Sequence, residues 1–211
     1  MTRFWLSLVW SLMFVLAPVA RAADTPPDVL ARSVTEEVLQ IIRNDKDLRS
    51  GDTRKARELI ESRIAPHFSF ASMTQLALGK NWRLASPDQR KALTAEFRAL
   101  LVQTYMASVT LYKDQVVEYR PLKLSPSDTD VTVRSLVKKP AGGEPVQIDY
   151  GMEKTGSGWK VYNVKVGGIS LVESYRGSFN SEIQKNGVDG LIKALRDKNR
   201  SLIAHSGKSA G

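Results

Sequence analysis

The chain has 211 residues, 42% hydrophobic and 25% charged, with 31 Lys and Arg against 22 Asp and Glu for a formal charge of +9, and no Cys. This composition excludes the disordered, collagen-like and disulfide-stapled classes. Residues 1–22 read as a secretory signal peptide. Arg3 supplies a basic start, Phe4 to Val19 a mostly apolar run, and Ala20-Arg21-Ala22 a small-x-small cleavage site. Asp24, Pro26, Pro27 and Asp28 follow at once, and the run is short for a bilayer core that takes ~20 apolar residues. Cleavage after Ala22 leaves 189 residues and, with Arg3 and Arg21 gone and no acid lost, a charge of +7. That is the size of one domain, placed at 23–199 and followed by a flexible polar tail over 200–211. No later segment approaches transmembrane length, so the mature protein is expected free outside the cytoplasm. There its basic charge suits anionic membrane surfaces or ligands rather than nucleic acid.

The mature chain opens with helical spacing. Leu30, Val34, Val38, Ile41 and Ile42 form one apolar stripe, ended by the polar run from Asn44 to Asp52 with Gly51. Ala56, Leu59, Ile60 and Ile64 repeat the pattern until Pro66. A third short helix starts at Ser69, carries Met73 and Leu76, and stops at Gly79. Ser86-Pro87-Asp88-Gln89 is a capping box with proline at the first helical position. The long helix that follows is apolar nearly all round, with Leu93, Phe97, Leu100, Leu101, Tyr105 and Ser108 on one face and Ala95, Val102, Met106 and Val109 on the other.

The period then changes to two through four strands, near 115–124, 130–138, 145–154 and 159–166, joined by links rich in Pro, Gly and Ser. These predict an antiparallel meander. A helix is expected from Ile169, with Val172, Tyr175, Phe179 and Ile183 in phase until Asn186-Gly187. Val188, Leu191, Ile192 and Leu195 make a last amphipathic pair of turns. The order is α+β: one antiparallel sheet of about four strands, flanked by N-terminal and C-terminal helices.

Catalytic chemistry has few candidates. His67 and His205 are the only histidines, His205 in the tail and His67 beside Pro66 at a helix junction. With no Cys, neither a metal site nor a His-based triad can be assembled from obvious parts. Glu36 and Glu37 are adjacent and so do not share a helix face. Gly142-Gly143 and Gly167-Gly168 lack the rest of a phosphate loop and read as turns. No enzyme, cofactor or metal is expected. What stands out is apolar surface: Val146, Ile148, Tyr150 and Met152 share a face of the third strand, and Val131, Val133 and Val137 a face of the second. The long helix and the Val172/Tyr175/Phe179 helix are expected to cover it. Periodicity does not distinguish a packed core from a lined cavity.

Two ordered blocks resemble the MlaC family of periplasmic phospholipid-binding proteins, also known as toluene-tolerance auxiliary components of an ABC transport system. The first runs Phe68-Ser69-Phe70-Ala71-Ser72-Met73 through Leu78-Gly79-Lys80-Asn81-Trp82 to Phe97-Arg98-Ala99-Leu100-Leu101 with Thr104-Tyr105. The second comprises Gly158-Trp159-Lys160-Val161-Tyr162-Asn163-Val164, Ile169-Ser170-Leu171-Val172 with Tyr175-Arg176 and Phe179-Asn180, and Gly187-Val188-Asp189-Gly190-Leu191-Ile192. Val166-Gly167-Gly168 departs from the family, which more often has an acidic residue before a single glycine.

The resemblance implies a monomeric carrier that takes a diacyl phospholipid across the periplasm. Its partners would be an outer-membrane lipoprotein–porin complex and the lipid-binding ring of an inner-membrane ABC transporter. It further implies an apolar cavity between sheet and helices, lined by Phe97, Leu101, Tyr105 and Val109 of the long helix, by Val133, Ile148, Tyr150, Met152 and Val164 of the strands, and by Val172, Tyr175 and Phe179 of the later helix. Arg98, Lys165 and Arg176 are the expected headgroup residues at its mouth. The alternatives are a binding protein for a small apolar solute feeding an ABC transporter, and an interaction module with a filled core. Cavity volume discriminates the three.

Overall fold

The computed structural model describes residues 25–111, 114–140 and 142–208. The expected signal peptide and the end of the polar tail lie outside the described residues. Helix α1 (Pro27–Asn44) starts on a proline whose missing N–H costs nothing at that position. The polar run after it is not a plain linker. The Asp45 carboxylate accepts from Asp47 N at 2.8 Å and Leu48 N at 3.1 Å, capping α2 (Lys46–Ser50), and Gly51 at φ +93° closes that turn. Helix α3 (Thr53–Leu59), capped by Asp52, runs on through a π-helical turn (Ile60–Ile64) and a 3-10 turn (Ala65–His67), and Pro66 ends the ladder. Helix α4 (Phe70–Leu78) stops at Gly79, and α5 (Pro87–Leu111) begins with the expected reciprocal cap: Gln89 N donates to Ser86 Oγ at 3.2 Å and Ser86 N to Gln89 Oε1 at 3.0 Å.

Five strands form one antiparallel meander in the order β1 (Val116–Tyr119), β2 (Asp130–Lys138), β3 (Val146–Thr155), β4 (Gly158–Val166), β5 (Ile169–Ser170). The register pairs Val133 with Tyr150, Val131 with Met152, Tyr150 with Val164 and Ile148 with Val166, so the alternating apolar residues gather on one face. A bulge at Gly151/Met152 absorbs one residue and keeps Val161 in phase with Val164.

The helix expected from Ile169 does not begin there. Gly167 and Gly168, both at positive φ, reverse the chain so that Ile169–Ser170 pairs with Lys165–Val166 as a fifth strand. The buried Ser170 hydroxyl then donates to Asn163 Oδ1 at 2.7 Å and accepts from Glu173 N at 2.9 Å, opening a 3-10 turn (Glu173–Tyr175). Helix α6 (Arg176–Lys208) follows, broken at Gly187 (φ 71°) where the sequence pattern ends its helix. Past residue 199 the described chain stays helical to Lys208. Asn199 is buried, its amide donates to Glu96 O at 2.9 Å, and Leu202 packs on the core, so the helix continues along α5.

The main core lies between helices. Leu93, Phe97, Leu100 and Leu101 of α5 meet Val172, Phe179, Ile183, Leu191, Ile192 and Leu195. The aromatics at 172–179 therefore cover α5 and not the sheet. The sheet's apolar face is covered by α1 and by the corner at 64–68, where Ser69 N donates to Val161 O at 2.8 Å and Lys160 Nζ to Pro66 O at 2.7 Å. Ser86→Ala removes one half of the α5 capping box and is expected to cost about 1 kcal/mol, or ~2–4 °C in Tm, measurable by differential scanning calorimetry.

Candidate functional site

Between the sheet and α1 lies a cavity of about 450 Å³. Its floor is the inner face of the strands: Val117, Val137, Ile148, Tyr150, Met152, Val161, Val164 and Val166. Its roof is the apolar stripe of α1, with Leu30, Ala31, Val34, Val38, Leu39 and Ile42, and its side wall is Ile64, His67, Phe68, Tyr105, Ser108, Val109 and Leu171. A smaller space of about 170 Å³ adjoins it among the π-helical turn, α4 and α5, lined by Ile60, Ala65, Phe70, Met73, Leu101 and Val102 together with six residues of the larger one.

Helix α1 is fastened over the cavity at both ends. At its N-terminal half, the Tyr119 hydroxyl donates to Ala31 O at 3.0 Å and shares a 2.7 Å hydrogen bond with Thr35 Oγ1, and Arg32 lies 5.0 Å over the Tyr119 ring. Burial raises the Tyr119 pKa, keeping this phenol a neutral donor. At the other end, Arg43 donates to Gln115 O at 3.1 Å.

Polar groups are sparse inside and do not converge. Burial, and secondarily Tyr175, pushes the Tyr105 pKa up to about 12, so its hydroxyl stays protonated. Burial and the nearby Lys160 charge hold His67 below the ordinary histidine value, with Glu37 opposing. Among the described residues no group of three or more His, Asp or Glu is placed to hold a metal. The lining is suited to hydrocarbon.

Seven of the twelve residues expected to line a cavity do so: Leu101, Tyr105, Val109, Ile148, Tyr150, Met152 and Val164. The other five do not. Phe97, Val172, Tyr175 and Phe179 belong to the helical core, and Val133, although on the inner sheet face, is fully buried among Met152, Trp159 and Val161. The three basic residues do not form a shared mouth. Arg98 is ion-paired with Glu61 and lies 5.3 Å over the Phe70 ring. Lys165 is exposed on the outer sheet face, between Val164 and Val166, which point inward. Arg176 donates to Leu76 O at 2.8 Å and to Glu173 Oε1 at 3.2 Å, fastening α6 to α4. Sequence reasoning identified the stripe Leu30/Val34/Val38/Ile42 without assigning it to the cavity. The same holds for Ile64, which carries the helical period of the second stretch, while Phe68 and Leu171 line the cavity with no periodic signal of their own.

A family model described as MlaC protein matches residues 32–197. The chain belongs to the MlaC family. Among MlaC-related proteins it is 21% identical to the Haemophilus influenzae intermembrane phospholipid transport system binding protein MlaC, over 92% of each chain. It is 26% identical to the Pseudomonas putida toluene tolerance protein ttg2D, over 80% of this chain and 77% of that one. Its fold is similar, at TM-score 0.77 and 36% identity, to a Ralstonia solanacearum phospholipid-binding protein solved in complex with a phospholipid, covering 85% of this chain and 99% of that one.

The lowered pKa of His67 has a stability consequence. A histidine that resists protonation in the fold but not in the unfolded chain favours unfolding at low pH. Its contribution is intact above the ordinary value of 6.5 and is lost as pH falls from there through the folded value. Denaturant unfolding in a pH series should show stability falling below pH 6.5 more steeply in the wild type than in His67→Gln.

Proposed function

We propose that this MlaC-family protein is a periplasmic phospholipid carrier, the soluble component of an ABC-type transport system that moves lipid between the outer and inner membranes. The observation that carries the reading is the apolar cavity between sheet and α1, in a chain 36% identical to a Ralstonia protein that holds a phospholipid. The physics requires a container. Each methylene exposed to water costs ~0.8 kcal/mol, so two acyl chains with about thirty of them cost on the order of 25 kcal/mol, and unassisted crossing of the aqueous space is negligible. The tails occupy the cavity and the headgroup stays in water. The small-solute reading is not favoured, because the structural relative carries a phospholipid.

Export by the signal peptide at 1–22 supports a periplasmic location. The Haemophilus relative is named for an intermembrane transport system, which supports an inner-membrane ABC transporter with its lipid-binding ring and an outer-membrane lipoprotein–porin complex as the two partners, met one at a time by a monomer.

Protein purified gently from a heterologous host is expected to carry diacyl phospholipid at near one molecule per chain. Its headgroups should mirror the host's mixture, since exposed charge pairs contribute only ~0.2–1 kcal/mol. Mass spectrometry of the extract checks both points. Lipid-free protein, or strong salt-insensitive enrichment of one headgroup, contradicts them.

Ligand at ~100 times its Kd adds ~2.7 kcal/mol to the folded state, so delipidation should lower Tm by roughly 5–10 °C and reloading should restore it. Ile148→Asp, which places an unpaired carboxylate in the cavity floor, should fold less stably and lose the restoration. Calorimetry on holo, delipidated and reloaded protein decides it.

A further inference from the structure

The cavity has two arms of unequal size, about 450 Å³ and about 170 Å³, and the residues common to both define the boundary between them: Ile64, Phe68, Tyr105, Val109, Val164 and Leu171. Only Phe68 and Tyr105 are aromatic and large enough to stand between two chains. Both are held in place by packing. Phe68 bridges to Val161 through the backbone and stacks on Phe70 at 6.0 Å. The Tyr105 ring packs against the helical core, as does Tyr175, whose ring lies 5.2 Å from Phe97 and 5.5 Å from Phe179. A ring seated against a close-packed core cannot swing aside at no cost, so the boundary is a wall.

The arms also differ in chemistry. Apart from Tyr105, the small arm is lined by apolar side chains alone, whereas the large one has Thr35, His67 and Ser108 on its walls. The small arm therefore accepts hydrocarbon and nothing else, and it accepts less of it.

We propose that Tyr105 is a specificity-determining residue that fixes the acyl-chain preference of this protein, by separating a long-chain arm from a short-chain arm. The proposal rests on the carrier reading. A diacyl lipid places one chain in each arm, and the small arm limits the length of the second. Each methylene that this arm cannot take in lowers relative occupancy by about fourfold.

The test loads delipidated protein with an equimolar set of phosphatidylglycerols sharing one palmitoyl chain and carrying a second chain graded from octanoyl to stearoyl. Native mass spectrometry then reads the bound distribution. The wild type is expected to favour the shorter second chains. Tyr105→Phe, which keeps the ring, should retain that profile, and Tyr105→Ala, which removes the wall, should flatten it to within about twofold at equal total occupancy. Leu101→Phe, one helical turn before Tyr105 on α5, narrows the small arm and should shift binding further toward the shortest chains. This variant is independent of whether Tyr105→Ala folds. A Tyr105→Ala profile equal to wild type, or a Leu101→Phe profile unmoved, overturns the proposal while leaving the carrier reading standing. Wild-type protein that takes up none of these lipids overturns the carrier reading itself.

Discussion

The aromatic cluster of Phe97, Tyr175 and Phe179 decides what the sheet is left to face. The Phe97 ring meets the other two edge to face, each at 5.2 Å, and such pairs contribute ~0.5–1.5 kcal/mol beyond the area they bury. With Val172, Ile183, Leu191 and Leu195 around them, they draw α6 onto the Leu93–Leu101 part of α5. A helix engaged in that way cannot also cover the strands. The apolar face running from Val137 through Tyr150 to Val164 is left to α1 and the corner at 64–68, and these do not fill it. The cavity is the residue of this competition.

The roof has its own economy of contacts. Helix α1 is held by hydrogen bonds at its ends, Tyr119 to Ala31 and Thr35 and Arg43 to Gln115, while its middle rests over open space. Val38 and Ile42 of its stripe also pack on Leu59, Ile60, Val102 and Met106, and the part that faces the cavity is satisfied only when something apolar lies beneath it. Ligand binding and folding stability are therefore linked through the same side chains. The three basic residues expected at the mouth take no part in this. Arg98 and Arg176 are occupied in fastening helices to one another, and Lys165 stands on the solvent side of the sheet, consistent with a headgroup that remains hydrated.

Much of the fold is legible because its determinants are local. The Ser86/Gln89 box, the stops at Gly51, Gly79 and Gly187, and the period-two runs from 130 to 166 each involve residues a few positions apart. Where the structure departs from the sequence pattern, contacts outside that pattern decide the outcome. Ser170 is held in a strand by Lys165 across a diglycine turn and by Asn163 beneath it. Asn199 is kept in a helix by Glu96, about one hundred positions away in the chain. In the sequence, both positions belong to patterns that promise something else.

The cavity divides along the same line. That one sheet face is apolar, that the long helix is apolar all round, and that His, Cys and acidic clusters for chemistry are scarce, the sequence by itself determined, because side-chain period and residue type are properties of the chain alone. Which apolar residues line open space was decided only by the tertiary structure. Tyr105 and Phe97 lie eight positions apart on one helix and are equally apolar in pattern, yet one borders the cavity and the other fills the core. Periodicity states that a side chain is turned away from water. What it is turned toward depends on which long-range pairing of helices and sheet is the more favourable.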